Sequence, residues 1–181
     1  KRTYFTYGNN VALTRMLNDP QYSRYLNDKC LFLERYNAYL NRDWLDLRKA
    51  DALALKEFCA GKSWIFVKVV NDFGGTGAEK IAVGPETDYN LLYNRLMNQH
   101  QYLVDDLIRQ HPEMNRLYAG SVNTLRIVTV MSADGPKIVY TLVRVGQGNK
   151  AIDNVCAGGM YTVVDESGRL NFPAFCDRDA C

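Results

Sequence analysis

The sequence predicts an α+β protein, with helices first and then antiparallel strands interrupted by one helix. Three observations carry that expectation. From Asn10 to Leu40, apolar side chains recur at three- and four-residue spacing, as at Leu33, Tyr36, Tyr39 and Leu40. From Ser63 onward, β-branched and aromatic runs alternate with turn-forming residues. The strands follow one another as hairpin partners, without the regular strand-helix alternation of a parallel sheet. Composition agrees. The 181 residues are 47% hydrophobic and 23% charged, which fits one domain, or two lobes, with a core that needs no staples. A disordered tail, a collagen-like fibre and a low-complexity linker are excluded. A net charge of +2 gives no electrostatic reason to expect a nucleic-acid partner.

The elements follow in order. Asn10–Asn18 and Tyr22–Leu40 read as helices, with Asp28 as a cap for the turns through Leu31, Phe32 and Tyr36. Asp51–Cys59 is a short helix ended by Gly61. Ser63–Val70 is a strand, Asn71–Ala78 a glycine-rich loop, and Glu79–Val83 the returning strand. Gly84-Pro85 breaks the chain, and Thr87 or Asp88 starts a helix to Gln99. Tyr102–Ile108 is a strand and His111-Pro112 opens an irregular turn. Asn123–Ser132 and Lys137–Gly146 form a hairpin through Asp134-Gly135. Met160–Asp165 and Arg169–Phe172 form a last hairpin across Glu166-Ser167-Gly168.

The longest apolar runs, such as Ile65–Val67 and Val128–Met131, are strand-sized, so no membrane span is expected. The N-terminus has neither an apolar signal core nor an initiator methionine, and reads as part of a longer protein. Cys30, Cys59, Cys156, Cys176 and Cys181 contain no Cys-x-x-Cys pair. Reduced thiols in a cytoplasmic protein are the simplest reading, with a disulfide near the C-terminus left open.

Several residues stand out chemically. Lys68 shares one strand face with Trp64, Phe66 and Val70. A cation there is costly unless it meets an anion; the alternative is an edge-strand lysine whose stem reaches water. Directly after it, Gly74, Gly75, Thr76 and Gly77 allow backbone amides to converge on a phosphate, although the spacing is neither a Walker A loop nor G-x-G-x-x-G. Arg126 and Arg144 project from neighbouring apolar strands. A guanidinium keeps its charge, so these two either share an anion site or form structural ion pairs. The scarcity of acidic residues in those strands favours a site.

The order of these features resembles the ATP-grasp superfamily, most closely its sugar-transfer-associated members. The resemblance rests on Asn27-Asp28-Lys29, on Ile65–Lys68 with Gly74–Gly77, and on Tyr102–Pro112. It continues through Ser121–Thr129, Arg144-Val145-Gly146, and Asp153-Asn154 with Gly158-Gly159. It implies N-terminal helices followed by antiparallel sheets in two lobes around a nucleotide cleft. The expected parts are a helical region over 1–61, a nucleotide-binding lobe over 62–108 and a C-terminal lobe over 109–181. It implies ATP and Mg²⁺ as cofactors, with Lys29, Lys68 and the Gly74–Gly77 loop on the phosphates. Asp105, Asp106 and Ile108 would read adenine and ribose. Arg126 would contact the transferred phosphate, and Arg144, Asn154, Gly158 and Gly159 would lie on the acceptor side.

The implied activity is ATP-dependent carboxylate ligation through an acyl-phosphate, serving surface or capsular polysaccharide assembly, on a small or saccharide-linked carboxylate. The family's metal ligands, an acidic strand residue and a later Glu-x-Asn, have no counterpart after Arg169, where only Asp177 and Asp179 occur. The metal ligands are therefore unassigned, and the C-terminal part of the fold is expected to lie outside this chain. A non-catalytic ATP-binding module is the alternative reading. A carbohydrate-binding domain using the twelve tyrosines ranks third.

Overall fold

A computed structural model describes residues 7–71, 77–148 and 153–176. They fall into two compact units, one comprising residues up to 71 with 77–106, the other residues from 107 onward.

The first unit opens with α1 (Tyr7–Leu17) and α2 (Pro20–Asn27). The helix expected over Tyr22–Leu40 is instead divided. α2 ends, Asp28 takes an extended conformation, and α3 (Lys29–Arg35) begins, followed by a 3₁₀ turn over Asn37–Tyr39. Asp28 causes the break. Its carboxylate accepts the amide hydrogens of Cys30 and Leu31 at 2.9 and 3.1 Å, offering the backbone a cap in place of continued helix. α4 (Ala52–Cys59) and α5 (Tyr89–Asn98) start in the same way, with Asp51 accepting from Ala54 and Asp88 from Leu91.

Four strands form the unit's sheet: β1 (Trp44–Asp46), β2 (Trp64–Lys68), β3 (Glu79–Ala82) and β4 (Leu103–Asp105). Their order is β1-β4-β2-β3, and each pairing is antiparallel. β1 falls in the stretch expected to be helical. Its three residues are extended because Trp44, Leu45 and Asp46 pair with Asp105, Val104 and Leu103. The strand expected over Tyr102–Ile108 is cut to Leu103–Asp105, where both neighbours supply partners.

Strand alternation divides the sheet's two faces. Ile65, Val67 and Val104 join Leu55 and Cys59 of α4 and Leu92 and Leu96 of α5 in the larger core. On the opposite face, Leu103 packs with Val70 and with Cys30 and Leu33 of α3. Both faces are covered, which explains why β2 reads as a nearly continuous apolar run.

The second unit holds α6 (Pro112–Asn115) and strands β5 (Thr124–Ser132), β6 (Gly135–Val145), β7 (Met160–Val164) and β8 (Phe175–Cys176), antiparallel in that order. The expected turn at His111-Pro112 is this short helix, with proline in its first turn and His111 as its cap. The β5–β6 hairpin turns tightly at Gly135, whose φ of +107° suits glycine. The hairpin expected over Arg169–Phe172 does not form. The Asp165 carboxylate accepts the amides of Ser167 and Arg169 at 2.9 Å each, closing a local turn. Phe175 and Cys176 pair with β7 instead. Cys30, Cys59 and Cys156 are free thiols. Cys176 is disulfide-bonded, and its partner lies outside the described residues. Among the described residues, no helix is long and apolar enough to cross a membrane.

Candidate functional site

In the first unit, Lys68 ends β2 on the face that carries α3. The antiparallel register sets Phe66 opposite Asp105 and Lys68 opposite Leu103, so Lys68 and Asp105 share that face as diagonal neighbours. The Lys68 ammonium donates to Asp105 Oδ2 at 2.8 Å. Arg42, two residues before β1, donates through Nε to Asp105 Oδ1 at 2.7 Å. Asp105 is 1% exposed, against 24% for Lys68 and 23% for Arg42. β2 lies between β4 and β3, so Lys68 is no edge-strand lysine; the anion its position demands is the Asp105 carboxylate.

Lys29 opens α3 and reaches the same place. Its ammonium donates to the carbonyls of Val69 and Val70 at 2.9 and 3.2 Å, just beyond β2. Lys29, Arg42, Lys68 and Asp105 line one cavity of about 290 Å³, with Leu26, Phe32, Leu33 and Leu103 as its apolar wall. Three predicted site residues, Lys29, Lys68 and Asp105, are thus brought together.

An ion network fixes the start of α3. Arg48 holds Asp28 at 2.7 Å, and grips Asp46 through Nε at 2.9 Å and Nη2 at 2.7 Å. Burial raises the Asp28 carboxyl, but the Arg48 guanidinium and the Leu31 and Cys30 amides outweigh it and leave the group below its ordinary value. Asp46 is likewise raised by burial and lowered further by Arg48. Both carboxylates hold the Arg48 proton more firmly than usual, partly offset by burial. Burial, reinforced by Asp46, pushes the Cys30 thiol up to about 12.

Asp106 points elsewhere. It pairs with Lys62 at 3.0 Å and lines a larger polar cavity of about 920 Å³ that also includes Arg42, Asp43 and Trp44. Its amide donates to the Asp43 carbonyl at 3.1 Å. Asp105 is committed to Lys68 and Arg42 through its side chain, and its backbone lies in a strand paired on both sides. Ile108 lies beyond the strand in the second unit and is exposed. Gly77 has φ of +68°, and its carbonyl accepts from Gln101 at 3.0 Å. Gly74, Gly75 and Thr76 lie outside the described residues.

In the second unit, Arg144 faces Thr124 across the β5–β6 ladder and donates to its hydroxyl through Nε and Nη2, at 3.0 and 2.8 Å. The Thr124 hydroxyl donates to Asp153, which also stands 3.5 Å from Arg144. The ion-pair alternative therefore describes Arg144, its partner coming from a loop and not from a strand. Arg126 is opposite Leu142, exposed, and without an ion pair among the described residues. Asn154 caps the 3₁₀ turn Val155–Ala157 by accepting from Cys156, and its carbonyl receives the Gly159 amide at 2.9 Å. Gly158 has φ of +96°. A Cβ on Gly159 would press into the Asp153 carbonyl.

The stretch before β5 is knotted by two amides that sequence reasoning did not single out for this role. Gln110 Nε2 donates to the carbonyls of Tyr118 and Ser121 at 3.0 Å each, while its Oε1 accepts the Asn123 amide at 2.5 Å. Asn123 Nδ2 donates to the carbonyls of Met114 and Tyr118, both at 2.8 Å.

A family model described as sugar-transfer associated ATP-grasp matches residues 89–179, from α5 through the whole second sheet. The chain belongs to this ATP-grasp family. The match includes Asp105, Asp106, Ile108, Arg126, Arg144, Asn154, Gly158 and Gly159, whereas Lys29 and Lys68 precede it. The chain matches no curated protein. ATP-grasp proteins as a class bind ATP with magnesium. Among the described residues, no group of three or more His, Cys, Asp or Glu side chains is gathered to hold a metal ion.

Proposed function

We propose that the chain binds ATP at the Lys29–Lys68–Asp105 cavity and belongs to an ATP-dependent ligase that activates a carboxylate. The observation that carries this reading is the meeting of two lysines, from α3 and β2, in a half-buried cavity with an apolar wall. Such a cavity offers cationic groups to phosphate oxygens and a surface for the nucleoside. Lys29, Lys68 and the Gly74–Gly77 loop are assigned to the phosphates. The backbone beyond Asp106, including Ile108, is left to read adenine. Arg126, exposed and without an ion-pair partner among the described residues, serves the transferred phosphate; Arg144, Asn154, Gly158 and Gly159 shape the acceptor side.

In the proposed reaction a substrate carboxylate oxygen attacks the γ-phosphorus of ATP, and the bond to the β,γ-bridging oxygen breaks, releasing ADP. An amine or hydroxyl then attacks the acyl carbon and inorganic phosphate leaves. Protein cations lower the barrier by positioning and charge neutralisation. The substrate is a small or saccharide-linked carboxylate, its saccharide part in keeping with the sugar-transfer description of the family, and the setting is surface polysaccharide assembly in the cytoplasm.

Calorimetric titration with ATP and magnesium tests binding, and ADP release against a panel of acidic sugars and amino acids tests ligation. Binding with acid-dependent ADP release is the expected result. Binding without turnover for any acid favours a non-catalytic ATP-binding module, and absence of binding overturns both.

A further inference from the structure

We infer that Arg42, which neither the family match nor the sequence motifs single out, is a direct ligand of the phosphate chain at this cavity. The inference rests on the proposed nucleotide reading. Three features of the site lead to it. Arg42 touches Asp105 only through Nε. Its two terminal amines have no hydrogen-bond partner among the described residues, although the side chain is 23% exposed and lines both the 290 Å³ and the 920 Å³ cavities. Among the described residues, the smaller cavity is lined by three cationic side chains, Lys29, Arg42 and Lys68, and by the Asp105 carboxylate. An anionic guest in this cavity would meet the unspent Arg42 fork together with the two lysines.

The geometry also separates Arg42 from the two lysines. Lys68 spends a donor on Asp105, and Lys29 spends donors on the Val69 and Val70 carbonyls. Arg42 is oriented by its Nε contact while its fork remains unspent. A planar fork held from behind suits two oxygens of one phosphate better than an ammonium does. Asp105 is then a positioning residue: it holds Arg42 and Lys68 at one spacing and is too buried to act as a ligand itself.

A double-variant cycle read by calorimetry decides the matter. ATP, inorganic pyrophosphate and adenosine are titrated into wild type, Arg42→Gln, Asp105→Asn and the double variant. The double variant is expected to bind ATP about ten- to hundredfold more weakly than Asp105→Asn, the effect of losing one charge-assisted contact. Adenosine affinity should be equal in the two. If Arg42 merely neutralises Asp105, the double variant matches Asp105→Asn for every ligand, and the inference is overturned while the nucleotide reading stands. If wild type binds neither ATP nor pyrophosphate, the nucleotide reading falls and takes the inference with it. Should Asp105→Asn fail to fold, Arg42→Lys keeps the charge beside Asp105 but not the fork. It is expected to bind ATP more weakly with adenosine affinity unchanged, and unaltered ATP affinity overturns the inference.

Discussion

Replacing Lys68 with methionine tests the centre of the site without reference to any ligand. Methionine keeps the unbranched stem and suits the space between Phe66 and Leu103, so the change removes one positive charge and little packing. Asp105, 1% exposed, loses the partner at 2.8 Å and keeps Arg42 at 2.7 Å. Breaking a fully buried pair costs about 3–5 kcal/mol, while losing a hydrogen bond to a charged group costs about 1.5–3 kcal/mol. Lys68 is about one-quarter exposed and Arg42 remains, so the lower range applies, and about 2 kcal/mol is expected. For a chain of this length that corresponds to a fall in melting temperature of roughly 4–8 °C. The assay is thermal unfolding of wild type, Lys68→Met, Asp105→Asn and the double variant. The two substitutions should be strongly non-additive, because each removes the same contact. A Lys68→Met protein that melts within a degree of wild type, or single effects that simply add, would refute the buried pair. The reasoning about β2, β4 and their shared face would fall with it.

Other expectations follow from the same geometry. Native alkylation with iodoacetamide should label exposed Cys156 and spare Cys30 and Cys59, whose thiols burial pushes up to about 12 and about 11; rapid labelling of Cys30 would contradict the packing of α3. Asp28 and Asp46 titrate below their ordinary 3.8 in the folded chain. Their contribution to stability is complete above that value and disappears as pH falls through the lowered folded values. Asp46→Asn should therefore flatten the acid limb of melting temperature against pH. Gln110→Ala strips the Asn123 amide and the Ser121 carbonyl of a partner, and should destabilise the second unit by about 2–3 kcal/mol by denaturant titration. Gly159→Ala should unsettle the loop from Asp153 to Gly159, seen as faster amide exchange at Cys156, Gly158 and residue 159.

Legibility in the sequence divided according to how locally each feature is determined. Asp28 and Asp88 could be read as helix starts because a side chain that bonds amides two or three residues ahead is a property of the segment itself. The hairpin at Asp134-Gly135 was legible for the same reason. β1 was not. Trp44-Leu45-Asp46 has no period long enough to declare a strand, and its extended form depends on β4, nearly sixty positions away in sequence as the register Leu45↔Val104 shows. Arg42 was lost with β1, since nothing in Asn41-Arg42-Asp43 marks a side chain that will meet Asp105. Asp153 was lost likewise: counting acidic residues within β5 and β6 made Arg144 look unpartnered, but its carboxylate arrives from the loop that follows.

Lys68 shows where such reasoning stops. A cation on an apolar strand does require an anion, and the strand pattern located that requirement correctly. The same requirement is met by a carboxylate of the protein, so the lysine alone marks a buried ion site without showing that any ligand enters it. What points to a ligand is the Arg42 fork, whose terminal amines have no hydrogen-bond partner among the described residues. Asp105 meets both Lys68 and Arg42, and Lys29 donates to the Val69 and Val70 carbonyls. The place of Arg42 beside Asp105 depends on the tertiary pairing of β1 with β4. The two lysines could be read from their own segments, whereas the arginine whose fork is left to meet a guest is brought in by the fold.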